Sequence, residues 1–342
     1  MRVLITGITG QDGAYLAAHL LEQGHEVYGA VRRNASRNLW RLDELGITDR
    51  VKLINFELLE FSNIFEAIRT VKPKRIYNLA AQSFVAASFQ FPIYTAESGA
   101  TAVTRILECI RLIDPEIRFY QASTSEMFGK VQAVPQTETT PFHPRSPYAV
   151  AKLYGHWITV NYREAYGLHA SSGILFNHES PLRGLEFVTR KITSSFALIK
   201  HGKLDKVELG NLEALRDWGF AGDYVRGIAM MLEQETPDDY LLATGKCWTI
   251  RQFAEFAATA AGFDLRWEGA ELKTRGVDRK TGKTIVAINP EFYRPAEVDR
   301  LIGDPRKVAA KIGWKAETPM ERLAEIMVAA DMDRVARNQP LF

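Results

Sequence analysis

Short apolar runs alternate with amphipathic segments through the first half of the chain. Runs with the length of a buried β-strand lie at residues 3–5, 26–31, 52–56, 75–79, 118–121 and 170–176. Segments with apolar residues at helical spacing lie at residues 14–23, 65–71, 101–113 and 148–166. Strands that alternate with helices need crossover connections, and these connections produce a parallel sheet. The pattern predicts an α/β fold with a Rossmann-type, doubly wound parallel sheet.

After residue 177 the pattern becomes mixed. Residues 178–184 predict a loop, and the polar, glycine-rich segment 266–287 favours a mobile loop or a hairpin. The other predicted elements are short strands at 207–209 and 239–242 and helices at 189–199, 223–233, from 249 onward and at 319–335. Thr249 and Gln252 have the spacing of a capping box, which marks the start of one of these helices. We expect the strand at 239–242 to return to the main sheet.

The composition is that of an ordinary globular protein and narrows the possible partners. The 342 residues carry a formal charge of +2, so neither a nucleic-acid surface nor a basic membrane anchor is expected. No apolar run reaches the roughly 18 residues of a membrane-spanning helix, and the N-terminal run is too short for a signal peptide. Cys109 and Cys247 have no CxxC partner, which predicts buried free thiols and no metal site. The expected compartment is the cytoplasm.

A glycine-rich turn connects the first predicted strand to the first helix. Its candidate ligand-binding residues are Gly7, Thr9, Gly10, Gln11, Asp12 and Gly13. Glycines allow a tight bend and close approach of the backbone to a pyrophosphate, and the helix N-terminus that follows attracts phosphate charge. The spacing is GxxGxxG, and a plain loop is the alternative. The strand–turn–helix context favours a dinucleotide-binding site.

The end of the second predicted strand indicates which dinucleotide binds. An NAD-binding protein carries an acidic residue there for the ribose hydroxyls. Here Arg32, Arg33 and Asn34 follow the strand, and Ser36 and Arg37 come shortly after. Guanidinium groups form charge-assisted hydrogen bonds with a 2′-phosphate, so we predict NADP as the cofactor, bound by Arg32 and Arg33. A solvated basic turn is the alternative.

Residues after the third and fourth predicted strands also belong to the expected cofactor site. Glu57 and Leu58 follow the third strand, and the carboxylate either accepts a hydrogen bond from the adenine amino group or is simply exposed. Leu79 ends the fourth strand, and the small residues Ala81 and Ser83 follow it. Small side chains allow a cofactor to lie against the backbone, so these residues join the predicted site.

Two later segments carry the candidate chemistry. The segment Ser-Thr-Ser-Glu at 123–126 follows the fifth strand, where ligands of open α/β sheets bind. Tyr148 and Lys152 lie four apart and share a face of a helix. An ammonium beside a phenol favours the phenolate, so Tyr148 would exchange protons nearer neutral pH. A plain dehydrogenase has no task for Glu126 beside this pair, whereas an elimination needs it. A surface helix pair is the alternative for Tyr148 and Lys152.

Five longer motifs extend this picture. They are Thr-Gly-Ile-Thr-Gly-Gln-Asp-Gly (6–13), Gln-Ala-Ser-Thr-Ser-Glu-Met-Phe-Gly (121–129), Pro-Arg-Ser-Pro-Tyr-Ala-Val-Ala-Lys-Leu-Tyr (144–154), Phe-Asn-His-Glu-Ser-Pro (176–181) and Phe-Val-Thr-Arg-Lys-Ile (187–192). The glycine turn and the Tyr-x-x-x-Lys spacing are widespread, whereas the Ser-Thr-Ser-Glu and the last two motifs are far more specific. Together they resemble the GDP-mannose 4,6-dehydratase family of extended short-chain dehydrogenases/reductases, and the resemblance runs from residue 3 to about residue 330.

The resemblance implies a redox-neutral reaction on a GDP-sugar. Tyr148 would act as the base while NADP oxidises C4 of GDP-mannose, Lys152 would lower the tyrosine pKa, and Thr124 would hydrogen-bond the C4 oxygen. Glu126 would then remove the C5 proton and help to expel the C6 hydroxyl as water. Return of the hydride to C6 would give GDP-4-keto-6-deoxymannose.

The resemblance also assigns further site residues. Around the substrate it implies Ser83, Ser125, Asn177, Val188, Lys191, Asn211, Arg216, Arg294 and Glu297. Ser125 either assists by hydrogen bonding or is structural. Near the cofactor it adds His178 and Arg183, and a structural histidine is the alternative for His178. Departures from the family pattern at Leu182, Glu57 and Gly155-His156 leave open whether the sugar is mannose or a related sugar such as a manno-heptose.

Two other functions are compatible with the fold. A GDP-sugar reductase or epimerase would not use Glu126, and a non-catalytic NADP-binding regulator would not need Tyr148 or Lys152. The resemblance implies a homodimer or a homotetramer. The basic segment 32–41 is compatible with a homotetramer, but a homodimer or a monomer with a basic loop could carry the same segment. We expect an NADP-binding Rossmann domain over residues 1–178, to which 212–245 returns, and a smaller mixed α/β substrate domain over 179–342.

Overall fold

The structure is a computed structural model that describes residues 1–35, 38–292 and 301–341. Its α-helices are α1 (Gln11–Glu22), α2 (Trp40–Glu44), α3 (Phe61–Val71), α4 (Val85–Gln90), α5 (Pro92–Ala96), α6 (Ala102–Ile113), α7 (Pro147–Tyr166), α8 (Val188–Lys200), α9 (Ala221–Met231), α10 (Ile250–Ala260), α11 (Arg306–Ile312) and α12 (Met320–Ala336). Its strands are β1 (Arg2–Thr6), β2 (Glu26–Val31), β3 (Lys52–Asn55), β4 (Arg75–Asn78), β5 (Arg118–Thr124), β6 (Ala170–Leu175), β7 (Asn177–Glu179), β8 (Val207–Leu209), β9 (Leu215–Arg216), β10 (Trp218–Phe220), β11 (Asp239–Leu242), β12 (Trp248–Thr249), β13 (Leu265–Glu268), β14 (Arg275–Asp278) and β15 (Thr284–Ile288).

The main sheet has seven parallel strands in the order β3-β2-β1-β4-β5-β6-β11. This order confirms the predicted doubly wound α/β fold, and β11 returns to the sheet as expected. The strand order reverses between β1 and β4, which is where open α/β sheets bind their ligands. The carboxyl ends of β1, β4 and β5 therefore mark the position of the site.

Apolar side chains cover both faces of this sheet. Along β1, Val3 and Ile5 contribute to one core cluster with residues of α1 and α9, whereas Leu4 contributes to another with residues of α3 and α6. Successive side chains of a strand point to opposite faces, so a sheet that is covered on both sides needs a continuous apolar run. The two helical layers hold the strand ends, and with them the site, in a fixed arrangement.

Helix α7 carries the Tyr-x-x-x-Lys pair near its beginning. The hydroxyl of Ser146 accepts a hydrogen bond from the backbone N–H of Ala149 (3.1 Å), and Pro147 occupies the first helical position, where no backbone donor is needed. Gly167 ends the helix in the left-handed conformation with a φ of 68°. The cap fixes the start of the helix just before Tyr148, so the tyrosine enters the site from the first turn.

A four-stranded mixed sheet in the order β13-β14-β15-β8 lies in the C-terminal half of the chain. Helices α8, α10 and α12 contact one another around a separate apolar core. Strands β14 and β15 form an antiparallel hairpin, which is the second of the two alternatives predicted for residues 266–287. The predicted capping box is confirmed, because Thr249 and Gln252 exchange side-chain and backbone hydrogen bonds at the start of α10.

Some short elements differ from the sequence-based expectations. The prediction of a loop from residue 178 was wrong at its start, because 177–179 form β7, which pairs in parallel with β10. A strand this short has no visible periodicity, and its partner lies far along the chain. Helix α3 begins at Phe61 rather than at residue 65, and the side chain of Glu60 caps it by accepting from the Ser62 N–H. Helices α2, α4 and α5 had no prediction, since none exceeds six residues.

The structure also bears on the cysteines and on membrane and metal sites. Cys109 is buried as expected, but Cys247 is only half-buried, with its Sγ 3.6 Å from the Leu301 carbonyl oxygen, so the prediction of two buried thiols was wrong for Cys247. Within the described ranges no helix is long and apolar enough to cross a membrane. In the same ranges no group of three or more His, Cys, Asp or Glu side chains could hold a metal ion.

Candidate active site

Two adjoining cavities lie at the carboxyl ends of the central strands. The outer cavity has a volume of about 480 Å³ and is lined by the glycine turn, the end of β2 and the residues after β3. The inner cavity has a volume of about 370 Å³ and is lined by the end of β5, the start of α7 and the segment 175–179. The residues that line both are Gly7, Gly10, Gln11, Leu79, Ala81, Ser83, Arg183 and Phe187. Together the cavities form one elongated cleft.

The glycine turn has the geometry that a dinucleotide pyrophosphate requires. Gly7 has a φ of +70°, and a Cβ there would lie 2.9 Å from the Ala80 backbone nitrogen. A Cβ on Gly13 would lie 2.3 Å from the Gly7 carbonyl oxygen, so the turn and the start of α1 pack too closely for any other residue. The N-terminal N–H groups of α1 follow directly, and they favour an anion. The residues present therefore fit a dinucleotide.

A chain of buried hydrogen bonds runs across the strand ends below this turn. The Thr6 hydroxyl donates to Asn78 Oδ1 (2.7 Å), and the Asn78 amide donates to Gln121 Oε1 (2.8 Å). The Gln121 amide donates to the Ala122 carbonyl oxygen (3.1 Å), which also accepts from Lys152 Nζ (2.8 Å). The network links β1, β4 and β5 to α7. It fixes the lysine ammonium relative to the glycine turn.

The outer cavity contains most of the predicted cofactor residues. Of these, Gly7, Thr9, Gly10, Gln11, Arg32, Glu57, Leu58, Leu79, Ala81, Ser83 and Arg183 line it. Arg32 is exposed, and its guanidinium donates to the Tyr94 hydroxyl (3.1 Å). Arg33 is exposed and lies outside the lining. Ser36 and Arg37 lie outside the described residues. Of Arg32 and Arg33, Arg32 alone therefore presents its cationic side chain directly to this cavity.

The four predicted catalytic residues, Thr124, Glu126, Tyr148 and Lys152, all line the inner cavity. Thr124 ends β5, and its hydroxyl accepts a hydrogen bond from the Glu126 backbone N–H (3.3 Å). Lys152 Nζ lies 5.9 Å from the centre of the Tyr148 ring. The fold thus brings hydroxyl, carboxylate, phenol and ammonium groups from the end of β5, the helical turn after it and the start of α7 into one cavity.

The electrostatics of this cavity correct one expectation. Burial raises the pKa of Tyr148 above its ordinary value, the charge of Glu126 raises it further, and a hydrogen bond with Thr124 lowers it. The predicted shift towards neutral pH was therefore wrong for the protein alone, because desolvation of the phenolate and the charge of Glu126 outweigh the hydrogen bond with Thr124 and the charge of Arg183. Burial also lowers the pKa of Lys152 to about 8. The Tyr148 phenol and the Lys152 amine therefore favour their uncharged forms more strongly than they do in water.

Glu126 has a shifted pKa as well. Burial raises the pKa of its carboxyl above the ordinary value, and the positive charge of Arg216 opposes that change. A carboxyl with a raised pKa exchanges protons more readily near neutral pH than an exposed one. Glu126 is therefore suited to act both as an acid and as a base.

His178 and Asp12 form an ion pair at the inner cavity. His178 Nε2 lies 2.9 Å from Asp12 Oδ2, and Nδ1 lies 2.7 Å from the Phe176 carbonyl oxygen. Burial lowers the pKa of His178 and is the largest single influence, but the charge of Asp12 and the hydrogen bonds with Asp12 and Phe176 together raise the pKa above its ordinary value. Burial would raise the pKa of Asp12, yet His178 brings it down to about 2. The imidazole also stacks on Tyr224 with ring centroids 4.6 Å apart, so its contacts favour the structural alternative.

The predicted substrate residues fall into three groups. Ser83, Asn177, Val188 and Arg216 line the inner cavity. Ser125, Lys191 and Asn211 lie outside both linings: Ser125 is buried, the Lys191 ammonium lies 4.1 Å from the centre of the Phe292 ring, and Asn211 Oδ1 accepts from the Glu213 N–H. Arg294 and Glu297 lie outside the described residues.

Three further predicted cofactor residues line the inner cavity rather than the outer one. They are Asp12, Gly13 and His178.

Other lining residues were missed by the sequence analysis. They include Arg41, Glu186 and Phe187 in the outer cavity and Glu179, Thr189 and Trp218 in the inner cavity. Glu179 and Thr189 lie inside the two motifs 176–181 and 187–192, so their motif membership was the available signal. Thr189 donates a hydrogen bond to the buried Glu179 carboxylate, which also pairs with Arg183. For Arg41, the sequence suggested only a role in assembly, as part of the basic segment 32–41.

Comparisons with known proteins give a consistent result. A family model described as GDP-mannose 4,6 dehydratase matches residues 4–327. The GDP-mannose 4,6-dehydratase of Sinorhizobium fredii (strain HH103) is 50% identical over 336 residues, which cover 96% of each chain. The human GDP-mannose 4,6 dehydratase is 47% identical over 344 residues, which cover 98% of this chain and 92% of the human one.

Solved structures with low sequence identity resemble the chain in fold. DesIV, a dTDP-glucose 4,6-dehydratase from Streptomyces venezuelae with NAD and TYD bound, gives a TM-score of 0.82 at 20% identity and covers 100% of both chains. RMD from Pseudomonas aeruginosa complexed with NADPH gives a TM-score of 0.75 at 20% identity, and the match covers 97% of this chain and 99% of the RMD chain. At such identity the likeness extends to the fold alone.

Proposed function

The chain belongs to the GDP-mannose 4,6-dehydratase family, and we propose that it converts GDP-mannose to GDP-4-keto-6-deoxymannose and water with NADP as a recycled cofactor. The observation that carries this proposal is the position of Glu126. Its carboxyl, with a raised pKa, shares one cavity with Tyr148 and Lys152. An enzyme that only moves hydrogen between cofactor and substrate has no use for this second acid and base.

NADP would occupy the elongated cleft. The turn from Gly7 to Gly13 and the N-terminus of α1 would hold its pyrophosphate, and Arg32, with Arg33 nearby, would hold the 2′-phosphate. Ala81 and Ser83 leave room beside β4, and Arg183 lies at the junction of the two cavities. When bound there, the nicotinamide would supply the redox chemistry, namely acceptance of a hydride from C4 and its return at C6.

Tyr148 acts first as the base that takes the proton of the C4 hydroxyl. Thr124 donates a hydrogen bond to the same oxygen and orients it. The Lys152 ammonium stabilises the phenolate that Tyr148 must become, and the positive charge of an oxidised nicotinamide acts in the same direction. Lys152 is held in place by the Ala122 carbonyl oxygen, so its position is set before the substrate binds.

Glu126 then carries out the elimination. The C4 carbonyl acidifies the C5 hydrogen, and the Glu126 carboxylate removes it as a proton. The same carboxyl donates that proton to the C6 hydroxyl, so the C6–O bond breaks and water leaves. The proton held by Tyr148 goes to C5 as C6 is reduced. The enzyme returns to its initial protonation state and the reaction consumes no reductant.

Arg216 lies on β9 and lines the inner cavity, so its guanidinium would contact the substrate diphosphate. Asn177 and Val188 would contact the same molecule, and Lys191, Asn211, Arg294 and Glu297 remain family-based predictions. Of the departures from the family pattern, Leu182 is buried in the apolar core and lines neither cavity. The domain boundaries and assembly as a homodimer or homotetramer also remain predictions.

A reductant-free assay tests this function. Purified protein is incubated with GDP-mannose and a catalytic amount of NADP, and the sugar nucleotides are separated over time. We expect complete conversion to the 4-keto-6-deoxy product. Conversion only with stoichiometric consumption of NADPH would replace the proposal by a reductase, and isomerisation without water loss would replace it by an epimerase. The same assay with GDP-manno-heptose and with dTDP-, UDP- and CDP-sugars defines the substrate.

A further inference from the structure

Three consecutive carbonyl groups next to the cleft each accept a hydrogen bond from a different arginine. The Pro181 carbonyl accepts from Arg334 Nη1 (3.0 Å) and the Leu182 carbonyl accepts from Arg41 Nε (2.7 Å). The Arg183 carbonyl accepts from Arg190 Nη1 (2.8 Å). The donors belong to α12, α2 and α8, so three separate helices hold one three-residue segment. We call residues 181–183 the carbonyl loop.

Two of these arginines depend on one buried carboxylate of the C-terminal helix. Asp331 has no exposed surface, and its Oδ1 accepts from Arg190 Nη2 (2.7 Å) and from Arg334 Nη1 (3.1 Å). Its Oδ2 accepts from Arg190 Nε (3.0 Å) and from the Thr193 hydroxyl (2.8 Å). Asp331 therefore orients both guanidinium groups towards the loop.

The charges of this network require a central anion. Arg190 is fully buried and Arg334 is 2% exposed, and a guanidinium is stable in such a place only beside a carboxylate. Asp331 serves both, and Glu44 Oε1 accepts from Arg334 Nη2 (2.8 Å) on the other side. Without the Asp331 charge, the two buried guanidinium groups have, among the described residues, a single carboxylate left, that of the partly exposed Glu44, and it pairs with Arg334 only. Both guanidinium groups are then expected to turn away from the loop.

The carbonyl loop carries a residue that contributes to both cavities. Among the described residues, Arg183 is the one charged side chain that lines both the outer and the inner cavity. Its guanidinium lies 3.5 Å from the centre of the Phe187 ring and 3.2 Å from Glu179 Oε2. The Arg183 side chain therefore has its direction set at the junction by Glu179 and Phe187, while its backbone is set by Arg190.

We propose that Asp331 is a positioning residue for dinucleotide binding, which acts through Arg190 and Arg334 to hold the carbonyl loop and so keeps Arg183 at the junction of the two cavities. This inference rests on the proposed dinucleotide site and adds to it a residue of the C-terminal helix. Asp331 lines neither cavity and touches no reacting atom. Its effect must therefore appear in affinity rather than in the chemical step.

The test compares Asp331→Asn with a matched control on the same helix. Asp333→Asn removes an exposed carboxylate that pairs with Arg337, so it should leave NADPH binding unchanged. Asp331→Asn should raise the dissociation constant for NADPH by about tenfold, which corresponds to the loss of one charge-assisted contact. The KM for the cofactor should rise in parallel, while kcat at saturating NADP stays at the wild-type value.

A purely structural role for Asp331 predicts the opposite result, a change in kcat and none in KM or in the dissociation constant. Part of the protein would unfold, so kcat per total protein would fall while KM and the dissociation constant stay unchanged, and that result overturns the proposal. If Asp331→Asn does not fold, Arg190→Lys replaces it, because the ammonium keeps a charge beside Asp331 but cannot reach the Arg183 carbonyl at the same time. Wild-type NADPH affinity in a folded Arg190→Lys protein would equally overturn it.

The outcome is separable from that of the proposed function. NADPH binding is measured directly, by quenching of protein fluorescence, and needs no turnover. A wild-type protein that binds NADPH but does not dehydrate GDP-mannose refutes the dehydratase. The NADPH affinities of Asp331→Asn and Asp333→Asn then still decide the role of Asp331. A wild-type protein that binds no NADPH refutes both.

Discussion

The two cavities of the cleft use different physical means to hold charged groups. In the inner cavity Thr124 and Lys152 are buried, and burial shifts the pKa values of Lys152, Tyr148 and Glu126. Of the residues that line the outer cavity, Arg32 is exposed and Glu57 is half-buried, and Arg33 next to Arg32 is exposed as well. A low-dielectric site strengthens each interaction and changes proton affinities, whereas an exposed cation attracts phosphate without such changes. The inner cavity is therefore built for proton transfer and the outer one for binding.

The two cavities also differ in how firmly their residues are held. Tyr148 and Lys152 stand on the capped first turns of α7, and Thr124 ends a central strand of the sheet. Arg32 and Arg33 follow β2 without regular structure. Catalytic groups must be held within fractions of an ångström, while a mobile arginine can adjust to a phosphate. Substitutions in the inner cavity should consequently affect kcat, and those in the outer cavity should affect cofactor affinity.

The largest expected effect belongs to the inner cavity. Tyr148→Phe removes the proposed base, so kcat for GDP-mannose should fall by about 10²–10⁴-fold while NADPH binding is unchanged. Tyr154→Phe is the matched control, since Tyr154 lies on the same helix with its hydroxyl 3.0 Å from that of Thr104 and lines neither cavity. Wild-type kcat in Tyr148→Phe, measured by product formation, would contradict the assignment.

The outer cavity should respond in affinity and in the choice of cofactor. Arg32→Ala and Arg33→Ala should weaken NADP binding by about tenfold and NAD binding much less, because only NADP offers a 2′-phosphate to a guanidinium. The effect should be larger for Arg32, which lines the cavity. Fluorescence titration with both dinucleotides gives the ratio, and Arg322→Ala on the exposed face of α12 is the control. An equal loss for NADP and NAD would show that these arginines do not select the phosphate.

The smallest effect concerns the pH dependence of the inner cavity. Glu126 must begin the elimination as a carboxylate, so kcat should rise with pH as this group loses its proton. Arg216 lowers the Glu126 pKa against the effect of burial, and Arg216→Gln should therefore move the acidic limb of the kcat profile to higher pH. Arg251→Gln, outside both cavities, should leave the limb in place. An unchanged limb in Arg216→Gln would remove the electrostatic link between the two residues.

The sequence was sufficient to predict the parts of the fold that repeat a local pattern. The six main apolar runs, the glycine turn and the Tyr-x-x-x-Lys helix all occur where they were expected, since burial on both faces and helix capping leave a signal over many residues. Thr124, Glu126, Tyr148 and Lys152 converge on one cavity because the carboxyl end of β5 and the start of α7 are neighbours in this topology.

What the sequence could not give depends on contacts between distant residues. The rise in the Tyr148 pKa follows from how deeply the fold buries the phenol, and no spacing of residues reports that depth. Strand β7 exists because β10 pairs with it, although the three residues alone predict a loop. The hydrogen bonds of Arg41, Arg190 and Arg334 to the carbonyl loop join residues that are between 7 and 153 positions away from their partners. Such contacts are properties of the folded chain.

The central claim is that Glu126 separates elimination from oxidation at C4. The direct test mixes Glu126→Gln, loaded with NADP, with GDP-mannose in a single turnover and follows the absorbance of reduced nicotinamide together with the release of product. We expect reduced nicotinamide to accumulate at close to the wild-type rate of C4 oxidation and no 6-deoxy product to form. Formation of that product at the wild-type rate would contradict the claim and remove Glu126 from the mechanism.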